Sequence, residues 1–146
     1  MSDLVYKLIP QDPFLELTEA QTAQLQQAVA EAAPDATFTE TERVQFVDAG
    51  AEFHTIHCPF CNSELAPMWW HKEMERIYAR AQGFYDLSVT TPCCEQKTTL
   101  NDLVYDWQQG FASLVVTTAS ETAVAALQQA TEMTSGTPWR LIKARY

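Results

Sequence analysis

Glycine is scarce in this chain. The 146 residues contain four, at positions 50, 83, 110 and 136. Phosphate-cradling loops need several close together, and no P-loop, dinucleotide fingerprint or G-x-S-x-G elbow is present. Basic residues are scarce as well: nine Lys and Arg stand against nineteen Asp and Glu, a net charge of −10. So acidic a chain is poorly matched to a phosphate backbone, which disfavours nucleic acid as a partner. No apolar run approaches the roughly 18 residues of a membrane span, so a membrane is not expected either. The opening MSDLVYKLIP lacks a basic start followed by a long apolar core, so a secretory signal is not expected and the cytoplasm is the expected compartment.

What remains is a globular composition, 47% hydrophobic with four Trp, five Tyr and seven Phe. A chain of this length is expected to form one domain, residues 1–146. The charge is uneven. Residues 1–64 carry eleven acids against Lys7 and Arg43, a balance of −9, and residues 65–146 carry eight acids against seven bases, a balance of −1. An acidic N-terminal half would steer a basic partner toward itself.

The four cysteines are grouped. Cys58 and Cys61 stand in C-P-F-C, and Cys93 and Cys94 in T-P-C-C. In a reducing compartment, paired cysteines more often bind metal than form disulfides. Two thiolate pairs separated by a structural element form the pattern of a zinc ribbon. The expectation is a structural Zn2+ held by Cys58, Cys61, Cys93 and Cys94. Asn62 fills the position after the second cysteine, where a left-handed backbone favours Gly and tolerates Asn. The adjacent pair at 93–94 departs from two-residue spacing, so His54, His57 and His71 are candidate substitutes if only three sulfurs ligate. Four thiolates would leave no open position for catalysis, so an enzyme is not expected. C-P-F-C also looks like a glutaredoxin motif. Against a thiol redox protein, 57 residues precede it and Pro67 delays the following helix, which removes the helix N-terminus that would activate the first thiol.

The rest reads as alternating strands and helices. Residues 4–10 are a short apolar strand bounded by prolines. Thr18 and Gln21 form a capping box for a helix running to about Ala33, with Leu25, Ala28, Val29 and Ala32 on its apolar side. Residues 37–48 read as a long or bent strand. A second helix has Pro67 in its first turn and Gly83 at its C-cap, with Trp70, Met74, Ile77 and Ala81 on one face. Residues 84–90 and 111–118 read as strands, and 98–107 as partly extended. Ser120 is expected to cap a third helix that Gly136 ends, with Val124 and Leu127 inward. Residues 139–146 close as a strand whose Lys143 and Arg145 share a wet face. Thr18-Glu19 with Leu25-Gln26-Gln27-Ala28 aligns without gaps to Ser120-Glu121 with Leu127-Gln128-Gln129-Ala130. Two β-α-β units follow, whether or not they arose by duplication. The expected fold class is α+β, a ferredoxin-like or related β-α-β sandwich, with residues 49–110 a zinc-ribbon insertion between its second and third core strands.

Candidate interface residues are Trp69, beside the core residue Trp70, and the helical stripe Lys72, Arg76 and Arg80, flanked by Glu73 and Glu75. That stripe, with Arg140, Lys143 and Arg145, would serve the alternative of a zinc-ribbon nucleic-acid or transcription-associated factor. Asn101-Asp102 and Tyr105-Asp106-Trp107 read as a polar-aromatic cluster tying a loop to a sheet.

V-D-A-G-A-E-F-H-T-I-H-C-P-F-C (47–61), W-W (69–70), L-S-V-T-T-P-C-C (87–94), L-N-D-L-V-Y-D-W (100–107), G-F-A (110–112) and W-R-L-I-K-A-R-Y (139–146) resemble a family of small uncharacterised bacterial proteins. The cysteine motif and L-N-D-L-x-Y-D are its most specific parts. Asn62 and Glu95 stand where such proteins more often have Gly. The resemblance implies no activity. By analogy of size and charge alone, a small acidic protein of this kind fits a protein-binding module that meets a basic partner, with toxin neutralisation as one version.

Overall fold

The computed structural model describes residues 3–81 and 83–146; the side chains of residues 79–81 lie outside the description. In chain order the elements are β1 (Leu4–Pro10), α1 (Glu19–Ala32), β2 (Thr37–Val47), β3 (Ile56–His57), β4 (Glu64–Leu65), α2 (Pro67–Ala81), β5 (Ser88–Thr90), β6 (Lys97–Thr99), β7 (Val104–Tyr105), β8 (Gly110–Thr118), α3 (Val124–Ser135) and β9 (Trp139–Arg145). Short 3-10 turns precede β7 and α3. The chain is a mixed α+β protein with antiparallel sheets.

One sheet takes the order β2-β8-β1-β9. Every neighbouring pair in it is antiparallel, and Leu8 of β1 lies opposite both Val116 and Leu141. Period-two alternation gives the sheet one face of Leu8, Leu114, Val116 and Trp139, which packs with Leu25 and Val29 of α1 and Leu127 of α3. Ile9 and Ile142 belong to a separate cluster with Val47, Ala49 and Ala112. The β-α-β order therefore occurs twice, as β1-α1-β2 and β8-α3-β9.

The two helices start differently. Thr18 Oγ1 accepts the Gln21 N–H at 3.1 Å, and Gln21 Oε1 accepts the Thr18 N–H at 2.9 Å. That is the expected capping box. Ser120 was expected to cap α3 and does not. Its hydroxyl pairs with Thr122 Oγ1 at 2.9 Å, and a 3-10 turn fills residues 121–123. Gly136, at φ 74°, ends α3 as expected.

Between β2 and β8 the chain builds a second core. Ile56 of β3 lies opposite Leu65 of β4 and Tyr105 of β7, and β5 pairs with β6. Trp70 and Ile77 of α2 are buried here, with Met74 packed alongside; the fourth residue expected on that face, Ala81, has its side chain outside the description. Phe46 joins this core to the sheet, with ring centroids 5.5 Å from Trp70 and 5.3 Å from Phe111. The strand expected over 84–90 is shorter. Phe84 makes an isolated bridge to Val44, and Asp86 turns the chain by accepting the Ser88 N–H at 2.9 Å. Proximity calls for glycine at position 83, because a Cβ there would lie 2.7 Å from Arg43 Cβ.

Buried polar groups fasten the two cores together. Asn101 Oδ1 accepts the Phe111 N–H at 3.1 Å, and its Nδ2 donates to the Gln11 carbonyl at 3.2 Å. Arg140 Nη1 donates to the Asn101 carbonyl at 3.0 Å and to the Gln109 carbonyl at 2.8 Å. Tyr105 donates its hydroxyl proton to the Leu100 carbonyl at 2.6 Å and accepts Trp70 Nε1–H at 3.1 Å. These are the loop-to-sheet ties expected from the polar-aromatic cluster.

After β2 the chain reaches the far edge strand, where Gly50 bridges Arg145 of β9 and the Ala51 N–H donates to the Arg145 carbonyl at 2.8 Å. Gly50 has φ +74°, and a Cβ on it would stand 2.1 Å from that same carbonyl oxygen. Gly50→Ala is therefore expected to cost at least about 2 kcal/mol, from clash and strained φ together. Urea unfolding measures it.

Candidate metal centre

The first cysteine pair lies on the turn between β3 and β4. The Cys58 N–H donates to the Ser63 carbonyl at 2.9 Å, the Asn62 N–H to the Cys58 carbonyl at 3.0 Å, and the Phe60 N–H to Cys58 Sγ at 3.4 Å. Asn62 takes φ 61° to complete the turn, the left-handed backbone expected there. The second pair lies on the turn between β5 and β6. The Thr91 N–H donates to the Gln96 carbonyl at 2.9 Å, the Glu95 N–H to the Thr91 carbonyl at 2.9 Å, and Glu95 takes φ 57°.

The two turns are built alike. Thr91-Pro92-Cys93-Cys94-Glu95-Gln96 repeats the two backbone hydrogen bonds and the left-handed residue of Cys58-Pro59-Phe60-Cys61-Asn62-Ser63. Thr91 thus stands where the first turn has Cys58. Both are buried, and Thr91 Oγ1 lies 3.3 Å from Cys94 Sγ. Cys93 supplies the fourth sulfur from the position that Phe60 occupies in the other turn. This explains the adjacent spacing of 93 and 94, and the signal was present as T-P-C-C beneath C-P-F-C.

All four sulfurs lie within 4.8 Å of one another. Cys58 and Cys94 are 3.7 Å apart, Cys61 and Cys93 3.3 Å, and Cys93 and Cys94 3.9 Å. A tetrahedral ion held at about 2.3 Å by four thiolates sets sulfur–sulfur edges of about 3.8 Å. A disulfide would need about 2.05 Å, and all four cysteines are free. The four cysteines can therefore bind a metal ion. His54, His57 and His71 do not join this cluster among the described residues.

The thiols are electrostatically unequal. Hydrogen bonding to the Ser63 side chain and backbone, and then to Cys93, draws the Cys61 thiol down to about 6. Burial acts to raise Cys58, but the backbone N–H groups of Cys61 and Phe60 outweigh it and lower the thiol. Cys93 is exposed as a residue, yet its sulfur sits among the other three. Desolvation, and then its bonds to Cys61 and Cys58, push it up to about 12. Of the three shifted thiols Cys93 holds its proton hardest, and a bound cation would displace it.

Two outcomes follow from the matched turns. Cys93→Ala should abolish cobalt or zinc binding, and Cys93→Ala with Thr91→Cys should restore about one ion per chain. Native mass spectrometry reads both, and a double variant as metal-free as the single one would refute the equivalence of Thr91 and Cys58. Glu95→Gly should stabilise by about 1 kcal/mol, because a left-handed backbone costs Gly little. A melting temperature raised by about 3 °C would show it.

The candidate interface residues differ in exposure. Trp69 is half-buried against the second core, and the exposed aromatic of the first turn is Phe60, 55% exposed. Lys72 is exposed, Arg76 Nε donates to Glu73 Oε2 at 2.8 Å, and the side chain of Arg80 lies outside the described residues. Arg140, expected among the cations of the C-terminal strand, is instead buried and bonded to two backbone carbonyls. That removes one cation from the nucleic-acid surface. Among the described residues no helix is long and apolar enough to cross a membrane. No family model matches the chain, and neither a curated protein nor a solved structure matches it.

Proposed function

We propose that this chain is a non-enzymatic protein-binding module whose second core is stapled by a structural zinc ion on Cys58, Cys61, Cys93 and Cys94. In this reading the four-stranded sheet and its two helices form a ferredoxin-like body, and residues 49–110 form a zinc-ribbon insertion within it. The observation that carries the reading is the four-sulfur cluster on two matched turns. Four thiolates saturate a tetrahedral ion and leave no position for substrate, which favours a structural role over a catalytic one. Cys58, the sulfur a dithiol oxidoreductase would use as nucleophile, is 1% exposed, which weighs against thiol redox work.

The partner in this reading is a protein with a basic surface, drawn by the acidic first half, and a secreted toxin neutralised in a bacterial cytoplasm is one form of it. The resemblance to small bacterial proteins sharing the C-P-x-C and P-C-C segments is consistent with that setting. The test has two arms. Elemental analysis of the purified protein should return about one zinc per chain, and metal-free protein with accessible thiols would sink the staple. Co-expression with basic toxins encoded beside the gene should give a copurifying pair and growth rescue. Absence of rescue by every neighbour would sink the toxin-neutralising form.

A further inference from the structure

The surface where a basic partner would dock is open to assignment from the shape and chemistry of the edge strand. Two hollows flank β2 where Phe84 bridges to Val44. One, of about 450 Å3, is lined by Phe46, Met74, Tyr78, Phe84, His71 and Glu75 among others. The other, of about 200 Å3, is lined by Phe14, Leu15, Phe84, Tyr85, Glu16 and Glu42 among others. Phe84 lines both, so the hollows share an aromatic wall. Three of the large apolar side chains left exposed border them: Phe14 at 41%, Tyr78 at 46% and Tyr85 at 63%. Clustered exposed aromatics mark binding surfaces more often than scattered ones do, and Tyr is a favoured anchor.

Charge selects the occupant. Glu16, Glu42 and Glu75 all line the hollows and are all exposed. Arg43, also in the lining, sits over the Tyr85 ring at 4.8 Å, so this ring already accepts a guanidinium on one face. A second copy of the chain would set one net charge of −10 against another, and nucleic acid would meet the same carboxylates. We propose that the hollows on either side of Phe84 form one docking groove for a protein segment with apolar anchors flanked by Lys or Arg. The groove rests on the protein-binding reading above and gives it a location. Its anchors would enter beside Tyr78 and Tyr85, and its cations would meet Glu16, Glu42 and Glu75.

Fluorescence anisotropy tests it on the full chain. The probe is a synthetic peptide of about a dozen residues with Leu anchors between Lys and Arg. Its twin carries Glu in place of every Lys and Arg. The basic peptide should bind and the acidic twin should not. Tyr78→Ala with Tyr85→Ala should weaken binding about tenfold or more, as should Glu42→Lys with Glu75→Lys. Glu19→Lys with Glu31→Lys makes the same change in net charge at exposed residues of α1 outside the hollows. That control should lose less than about threefold. Equal losses in the two charge-reversed pairs, or unchanged binding in the tyrosine pair, would overturn the groove and leave the protein-binding reading standing. No binding of the basic peptide would also overturn it, while copurification with a toxin decides the broader reading separately.

Discussion

Cys58→Ser is expected to release the metal, unfold the second core and lower the melting temperature by more than about 10 °C. Structural zinc in small thiolate sites contributes on the order of 10–16 kcal/mol at neutral pH. A whole domain of ordinary size is stable by only about 5–15 kcal/mol. If the proposed zinc staple has that size, the second core cannot lose one of its four ligands and remain folded by its remaining contacts alone. Serine is a poor substitute, because its hydroxyl keeps its proton where the thiol gives its own up. Cys58 is also 1% exposed and packs with Leu65 and Trp70, so the change adds a buried polar group to a lost ligand. The sheet has its own core in Leu8, Leu25, Leu127 and Trp139. Hydrogen exchange should therefore lose protection over residues 53–105 and keep it over 139–144. A Cys58→Ser protein with its metal retained and its melting temperature within about 2 °C of the parent would overturn this account.

Asn101→Ala should cost about 3–5 kcal/mol, an unusual amount for an asparagine. Its Oδ1 serves both the Phe111 N–H at 3.1 Å and Arg140 Nη1 at 3.2 Å. Removing it leaves a buried N–H unpaired and takes an acceptor from a buried guanidinium, each a named route to large destabilisation. Arg140→Met should cost less, about 1–3 kcal/mol, because the charge leaves with its side chain and only carbonyls lose a donor. The two changes together should fall short of their sum by about 1–2 kcal/mol. Urea unfolding at fixed metal concentration closes the cycle, and strict additivity would show that the Asn101–Arg140 contact carries no energy of its own.

Much of this was readable beforehand, for local reasons. Thr18 and Gln21 are three residues apart, so their reciprocal bonds can be inferred without any tertiary contact, and α1 begins as expected. The four thiols group by spacing alone. What could not be read depends on distant partners. Ser120 is the exception, since the hydroxyl that takes its own, on Thr122, is only two residues on. Arg140 has the opposite parity to Lys143 and Arg145 along β9, so alternation sets it with Ile142 and Ala144, but a cation there needs partners that the local sequence does not show. Its burial depends on carbonyls 39 and 31 residues away in the chain. The groove beside Phe84 draws on segments around 14–16, 42–46 and 71–85, which no short window contains. Thr91 is the instructive miss, because a threonine in a ligand position hides the second copy of a turn whose first copy is plain.

β1 lies between β8 and β9. Leu8 therefore gains its cross-strand neighbours only after Val116 and Leu141 exist. The four thiols are complete once residue 94 has been made. A chain emerging from a ribosome in order would thus carry a finished ligand set well before its earliest strand has anything to pair with. The sulfur cluster, like the Val44–Phe84 bridge, can close before the sheet has its third and fourth strands.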